Sequence, residues 1–196
     1  MENYFLSKDE LVELIRNKVS PIECNMIISA YDMADMAYLD KKTISGEPYF
    51  FHTTRVARLL MKELEITEPD LIIAALLHDL YKTSEEISDE IISFNFNPYV
   101  AYLVNALKED FDFIKHNPFL SDDEGRVKIP ADDYLIIWLA EHLDNLRFSS
   151  FTPEYNPVNY ILNITANFLP AAETNQNSKI QYLVAELKKE RNRILS

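Results

Sequence analysis

The sequence predicts an all-α protein, and three observations carry that reading. Only two glycines, Gly46 and Gly125, occur in 196 residues, and the tight primed turns of β-hairpins depend on glycine. Nine prolines divide the chain, and between them apolar residues recur at three- and four-residue steps, the period of an amphipathic helix. Apolar residues make up 47% of the sequence, enough for the core of one compact domain. The expectation is a single domain over 1–196, with a motif-bearing core at about 31–148 and C-terminal helices at 157–195 packing on it.

The elements follow in order. Ser7 with Glu10 reads as a capping box opening a short helix to about Asn17. After Pro21, Ile22, Met26, Ile27, Ala30, Ala34 and Ala37 form one helical stripe to about Asp40. The polar stretch Lys41 to Pro48 is a loop, and Thr53 or Thr54 is the expected cap of the next helix, with Val56, Leu59, Leu60 and Leu64 facing inward. Thr67 and Pro69 open a helix through Ile72, Ile73, Ala75, Leu76 and Leu77, apolar nearly all round and therefore buried. Thr83 with Glu86 reads as a second capping box, ahead of a helix carrying Ile87, Ile91 and Ile92. Pro98 starts a helix with Val100, Leu103, Val104 and Leu107. The acidic, aromatic stretch from Glu109 to Pro130 is expected to be a loop. Asp132 or Asp133 starts a helix through Leu135, Trp138, Leu139, Leu143 and Leu146, and Ser178 to Leu195 is a closing amphipathic helix.

Composition removes several classes of function. Lys plus Arg is 19 and Asp plus Glu is 32, a net charge of −13, which repels nucleic acid and anionic lipid and argues against both as partners. An anionic small substrate would need a local cation, and a bound metal is the obvious one. Gly46 and Gly125 are too far apart for the two glycines of a Walker A loop and too few for the three of a dinucleotide-binding fingerprint, so neither pattern occurs. The single Cys24 excludes an intramolecular disulfide and a multi-cysteine zinc site, and fits a reducing cytosol. The start of the chain has no secretory pattern, and Leu71 to Leu77 is far too short to span a bilayer, so a cytoplasmic protein is expected. Oligomeric state is left open.

Polar residues on apolar helices are where chemistry is expected. His78 and Asp79 close a helix whose preceding turns are wholly apolar, and burying them costs free energy unless something pairs with them. Imidazole nitrogen with carboxylate oxygen suits zinc, manganese or iron; a core histidine bonded to its neighbours is the alternative. His52 ends the loop Ile44-Ser45-Gly46-Glu47-Pro48-Tyr49-Phe50-Phe51. The helix Leu139 to Arg147 carries Glu141 and Asn145 four residues apart on one face.

Taken together, His52, then His78-Asp79, then Glu141 resemble the HD superfamily of metal-dependent phosphohydrolases. Ser45-Gly46-Glu47-Pro48-Tyr49, Ala74-Ala75-Leu76-Leu77-His78-Asp79 and Leu139 to Arg147 are similar, more specifically, to the hydrolase domain of the RelA/SpoT family, which includes small alarmone hydrolases. The resemblance implies an HD-type helical bundle. It also implies one divalent metal, manganese first with zinc, iron or nickel as alternatives, held by His52, His78, Asp79 and Glu141. The activity it implies is removal of the 3′-pyrophosphate from guanosine tetraphosphate, making a guanine nucleotide the expected anionic substrate. Two imidazoles and two carboxylates leave positions open for water, whose pKa such an ion lowers. Ser45, Tyr49, Asn145 and Arg147 fall at substrate-binding positions, with Lys42 beside them.

The sequence departs from that family at three places. The family's Glu-Asp pair after His-Asp is here Lys82-Thr83, and lysine is a poor general base unless burial lowers its pKa. Lys82 at this spacing is assigned to a phosphate contact, and Glu85 or Glu86 is the candidate replacement for the absent acid. Glu141 stands where the family has Asp, moving the carboxylate by roughly 1.5 Å. Thr43, beside Lys41 and Lys42, stands where the family has a base-stacking Arg, and lysine does not stack as a planar guanidinium does. These departures imply weak or altered activity; the alternative is a catalytically silent HD module that binds a nucleotide or a protein.

Overall fold

The computed structural model describes residues 5–43, 45–83, 87–108, 132–148, 158–161 and 169–196. The described residues are all-α: α1 (Lys8–Ile15), α2 (Pro21–Ala37), α3 (Tyr49–Lys62), α4 (Pro69–Leu77), α5 (Leu80–Thr83), α6 (Asp89–Asn95), α7 (Pro98–Lys108), α8 (Asp132–Phe148), α9 (Leu169–Glu173) and α10 (Ser178–Leu195). They form two compact units, residues 1–42 with 46–108 and residues 43–45 with 109–196.

The first unit is organised around α4. Every residue from Leu71 to Leu77 is buried, as its all-round apolar sequence requires, and α2, α3 and α7 pack against it. Each leucine or isoleucine so buried contributes about 1.5–3 kcal/mol. Ser20 caps α2 with a full capping box: its hydroxyl accepts from Glu23 N and Glu23 Oε2 accepts from Ser20 N. At α1 only half of the expected box forms. Ser7 accepts from Glu10 N at 3.2 Å, but the Glu10 carboxylate turns to Arg58 and Lys62 of α3, which offer full charges. In the second unit α8 and α9 pack on α10. Asp132, at the start of α8, accepts from the Asn175 and Asn177 amides.

Four element boundaries differ from expectation. The second helix ends at Ala37, with Tyr38 as its C-cap, rather than near Asp40. Thr53 and Thr54 do not cap α3; they lie inside it, and their hydroxyls donate back to the Phe50 and Phe51 carbonyls, a local bond that satisfies threonine in mid-helix. The helix starts earlier, at Tyr49, because the pair Lys42 with Pro48 and the bond from Tyr49 N to Lys41 O close the preceding loop. Gly46 turns that loop at φ +85°, where a side chain is strained. Thr67 is likewise not a cap, since Glu68 holds that position before Pro69. Thr83 ends α5 instead of opening a helix; Ser88 caps α6, its hydroxyl accepting from Ile91 N. Glu86 and the stretch 109–130 lie outside the described residues.

Candidate metal centre

The cluster is built where α3 faces the end of α4. His52 lies in the first turn of α3, brought there by the loop that ends at Pro48. His78 is the C-cap of α4, and Asp79 joins α4 to α5. The pair therefore sits on a tight link between helices, which lets two neighbouring side chains converge. His52 and His78 are fully buried, and Asp79 is 1% exposed.

His78 Nδ1 is 2.8 Å from the Ala75 carbonyl. A carbonyl only accepts, so Nδ1 carries a proton, and in the neutral ring Nε2 presents the lone pair. That Nε2 lies 3.2 Å from His52 Nε2 and 3.2 Å from Asp79 Oδ2, while His52 Nε2 and Asp79 Oδ2 are 3.9 Å apart. Ligand atoms about 2.1 Å from one shared ion stand about 3.0–3.4 Å from each other. Two of the three separations fall in that window and the third, 3.9 Å, is wider; the donor set of two imidazoles and a carboxylate suits a divalent cation. The Tyr49 hydroxyl donates to Asp79 Oδ2, holding the carboxylate on the cluster. The Tyr49 ring itself lies against His52, centroid to centroid 5.3 Å, and against Tyr38.

The other sequence candidates fall as follows. Glu141 is buried on α8, 7% exposed. Lys42 is exposed, and Ser45 Oγ is 2.8 Å from Thr43 Oγ1 within the loop. Arg147 donates to Glu186 of α10 at 2.8 Å. Burial opposes the charge on Glu186, but Arg147 and Lys189 outweigh it and hold the carboxyl below its usual value. Asn145 is buried and its amide nitrogen donates to Tyr160 Oη at 2.9 Å. Lys82 lies on α5; its side chain is outside the described residues, as are Glu85 and Glu86. Sequence reasoning missed Arg55, 5% exposed, which donates to Glu47 at 3.5 Å and braces the loop ahead of His52. It also missed Tyr160, whose hydroxyl pairs with Asn145 and His142. Neither stands in a pattern of residue types that marks chemistry. No helix among the described residues is long and apolar enough to cross a membrane.

The described residues are all-α, and a helix-end His-Asp pair meets a second buried histidine among them. The model of the family described as HD domain matches residues 30–116, somewhat under half of the chain. Guanosine-3′,5′-bis(diphosphate) 3′-pyrophosphohydrolase MESH1 of Danio rerio is 33% identical over 123 residues, covering 58% of this chain and 62% of that protein. The GTP pyrophosphokinase rsh of Brucella melitensis is 27% identical over 143 residues, covering 70% of this chain and 19% of its own length. The chain thus spans less than two thirds of either curated relative. A solved structure described as a metazoan ortholog of SpoT that hydrolyses ppGpp superposes with a TM-score of 0.63 at 21% identity, over 85% of this chain and 95% of that one. That match establishes the shared fold.

Proposed function

We propose that the chain is a metal-dependent phosphohydrolase of nucleotide pyrophosphates, with guanosine 3′,5′-bis(diphosphate) as the leading substrate. The observation that carries this reading is the buried trio His52, His78 and Asp79, whose donor atoms face one another while His78 Nδ1 is tied to the Ala75 carbonyl. Glu141, buried on α8, is proposed as the fourth ligand on its place in the motif pattern, and manganese as the ion. A divalent ion held there supplies a Lewis acid for the phosphate and lowers the pKa of water. The protein's part is to fix that ion's ligands. The Ala75 carbonyl sets the His78 tautomer, and Tyr49 holds the Asp79 carboxylate in place. Lys42, Lys82 and Arg147 are assigned to the phosphates, Arg147 exchanging its Glu186 partner for substrate, and these cations offset the overall charge of −13 locally. Ser45, Tyr49 and Asn145 are assigned to the nucleoside on their places in the motif pattern. Water cleaves the bond between the 3′ oxygen and phosphorus, giving pyrophosphate and guanosine 5′-diphosphate. With Lys82-Thr83 in place of two acids, Glu85 or Glu86 is assigned the proton. The reading takes 1–196 as one HD-type domain acting in the cytoplasm.

The test is pyrophosphate release, followed by phosphorus NMR, from a small panel of nucleotides with manganese present. The reading expects release from the guanosine tetraphosphate and not from guanosine triphosphate, and loss of release in Asp79→Ala. A protein that binds metal and nucleotide yet turns over no member of the panel would overturn it in favour of the silent binding module.

A further inference from the structure

Helix α8 carries a buried polar network that the metal cluster does not use. Asn145 Nδ2 donates to Tyr160 Oη at 2.9 Å, and the same hydroxyl pairs with His142 Nδ1. A tyrosine hydroxyl has one proton. It accepts from the Asn145 amide, and the direction of its bond with His142 Nδ1 follows the tautomer of that ring. The His142 ring is itself clamped, edge-on to Trp138 at 3.7 Å between centroids and 5.3 Å from the Tyr160 ring. Tyr160 is 8% exposed, His142 8% and Asn145 7%. Among the described residues Asn145 Oδ1 is buried with no hydrogen-bond partner, a penalty that a ligand's donor would remove.

We propose that Tyr160 is a positioning residue: it fixes the Asn145 amide with nitrogen toward itself and oxygen presented to a hydrogen-bond donor of the nucleotide, a ribose hydroxyl or a guanine N–H. The inference rests on the nucleotide reading above. An amide that could flip would offer donor and acceptor alike; one tied through its nitrogen offers only an acceptor and therefore selects a ligand with a donor there. Tyr160 reaches Asn145 from 15 residues further along the chain, which is why no local sequence pattern marks it.

The experiment measures calorimetric binding of guanosine 5′-diphosphate, 2′-deoxyguanosine 5′-diphosphate and inosine 5′-diphosphate to the full, manganese-loaded chain. The variants are Tyr160→Phe, Asn145→Ala and the double variant. Phenylalanine keeps the ring packed on His142, and a thermal melt with circular dichroism checks that each variant is folded. Tyr160→Phe is expected to weaken guanosine 5′-diphosphate about tenfold, one lost hydrogen-bond constraint, and to have no further effect in the Asn145→Ala background. A merely structural tyrosine would cost affinity in both backgrounds. In the unmodified chain the 2′-deoxy analogue binding more weakly identifies the ribose hydroxyl as the donor, and the inosine analogue binding more weakly identifies the base; either supports the proposal. Equal affinity for all three nucleotides overturns it, as does unchanged binding in Tyr160→Phe. An unmodified chain that binds none of them overturns the nucleotide reading itself, and this inference falls with it.

Discussion

Replacing Tyr49 by phenylalanine removes one oxygen from the site, and its effect can be worked from the geometry. The hydroxyl donates to Asp79 Oδ2, the same oxygen that stands 3.2 Å from His78 Nε2. Asp79 is 1% exposed, so water does not readily take over the lost donor. A hydrogen bond to a charged group contributes about 1.5–3 kcal/mol, and loss of a ligand's supporting partner usually weakens metal binding about 10–100-fold. The two figures agree. The ring stays packed between Tyr38 and His52, so the apo protein should melt nearly unchanged. At manganese one hundred times the dissociation constant, binding stabilises the unmodified chain by about 2.7 kcal/mol, a rise of about 5–11 °C for a protein of this size. A hundredfold loss of affinity leaves about 0.4 kcal/mol and a rise of about 1–2 °C at the same concentration. Calorimetric titration with manganese measures the affinity directly. A Tyr49→Phe dissociation constant within twofold of the original would refute the reasoning.

Three further outcomes follow from other parts of the molecule. Restoring the family's acids by Lys82→Glu with Thr83→Asp should raise turnover of guanosine tetraphosphate by about 10²–10⁴, the usual worth of a positioned general acid or base; unchanged steady-state rates would show that another group already moves the proton. Leu76→Ala, in the fully buried turn of α4, should lower stability by about 2–5 kcal/mol, read as a lower urea midpoint at constant slope. The Asn175 and Asn177 amides hold the Asp132 carboxyl below its usual 3.8. Its contribution is therefore present above that value and lost as pH falls through the lower folded value, so Asp132→Asn should flatten acid unfolding in that window.

Much of this was legible in the sequence because the strongest signals are local. The run Leu71 to Leu77 dictates a buried helix wherever it is placed, and a His-Asp pair at its end must find partners. The S-G-E-P-Y segment could be read as the loop that delivers His52, since glycine and proline punctuate it. Caps were harder. A threonine reads the same whether it opens a helix or, like Thr53, bonds back within one. Ser20, Ser88 and Asn177 do cap helices, but each lies among other polar residues that compete for the role. Least legible were supports that join distant positions. Tyr49 reaches Asp79 across 30 residues and Tyr160 reaches His142 across 18, and neither tyrosine differs in sequence from one that merely fills a core.

The central claim is that this chain holds a divalent metal on His52, His78 and Asp79, with Glu141 as the fourth ligand. Elemental analysis of the manganese-equilibrated, desalted protein tests it most directly. The account predicts one ion per chain, lost in His78→Ala and in Asp79→Ala while circular dichroism stays helical, because the helices are held by apolar faces elsewhere. It predicts a reduced content in Glu141→Ala. A metal-free protein under those conditions, or His78→Ala retaining the full ion content, would contradict it.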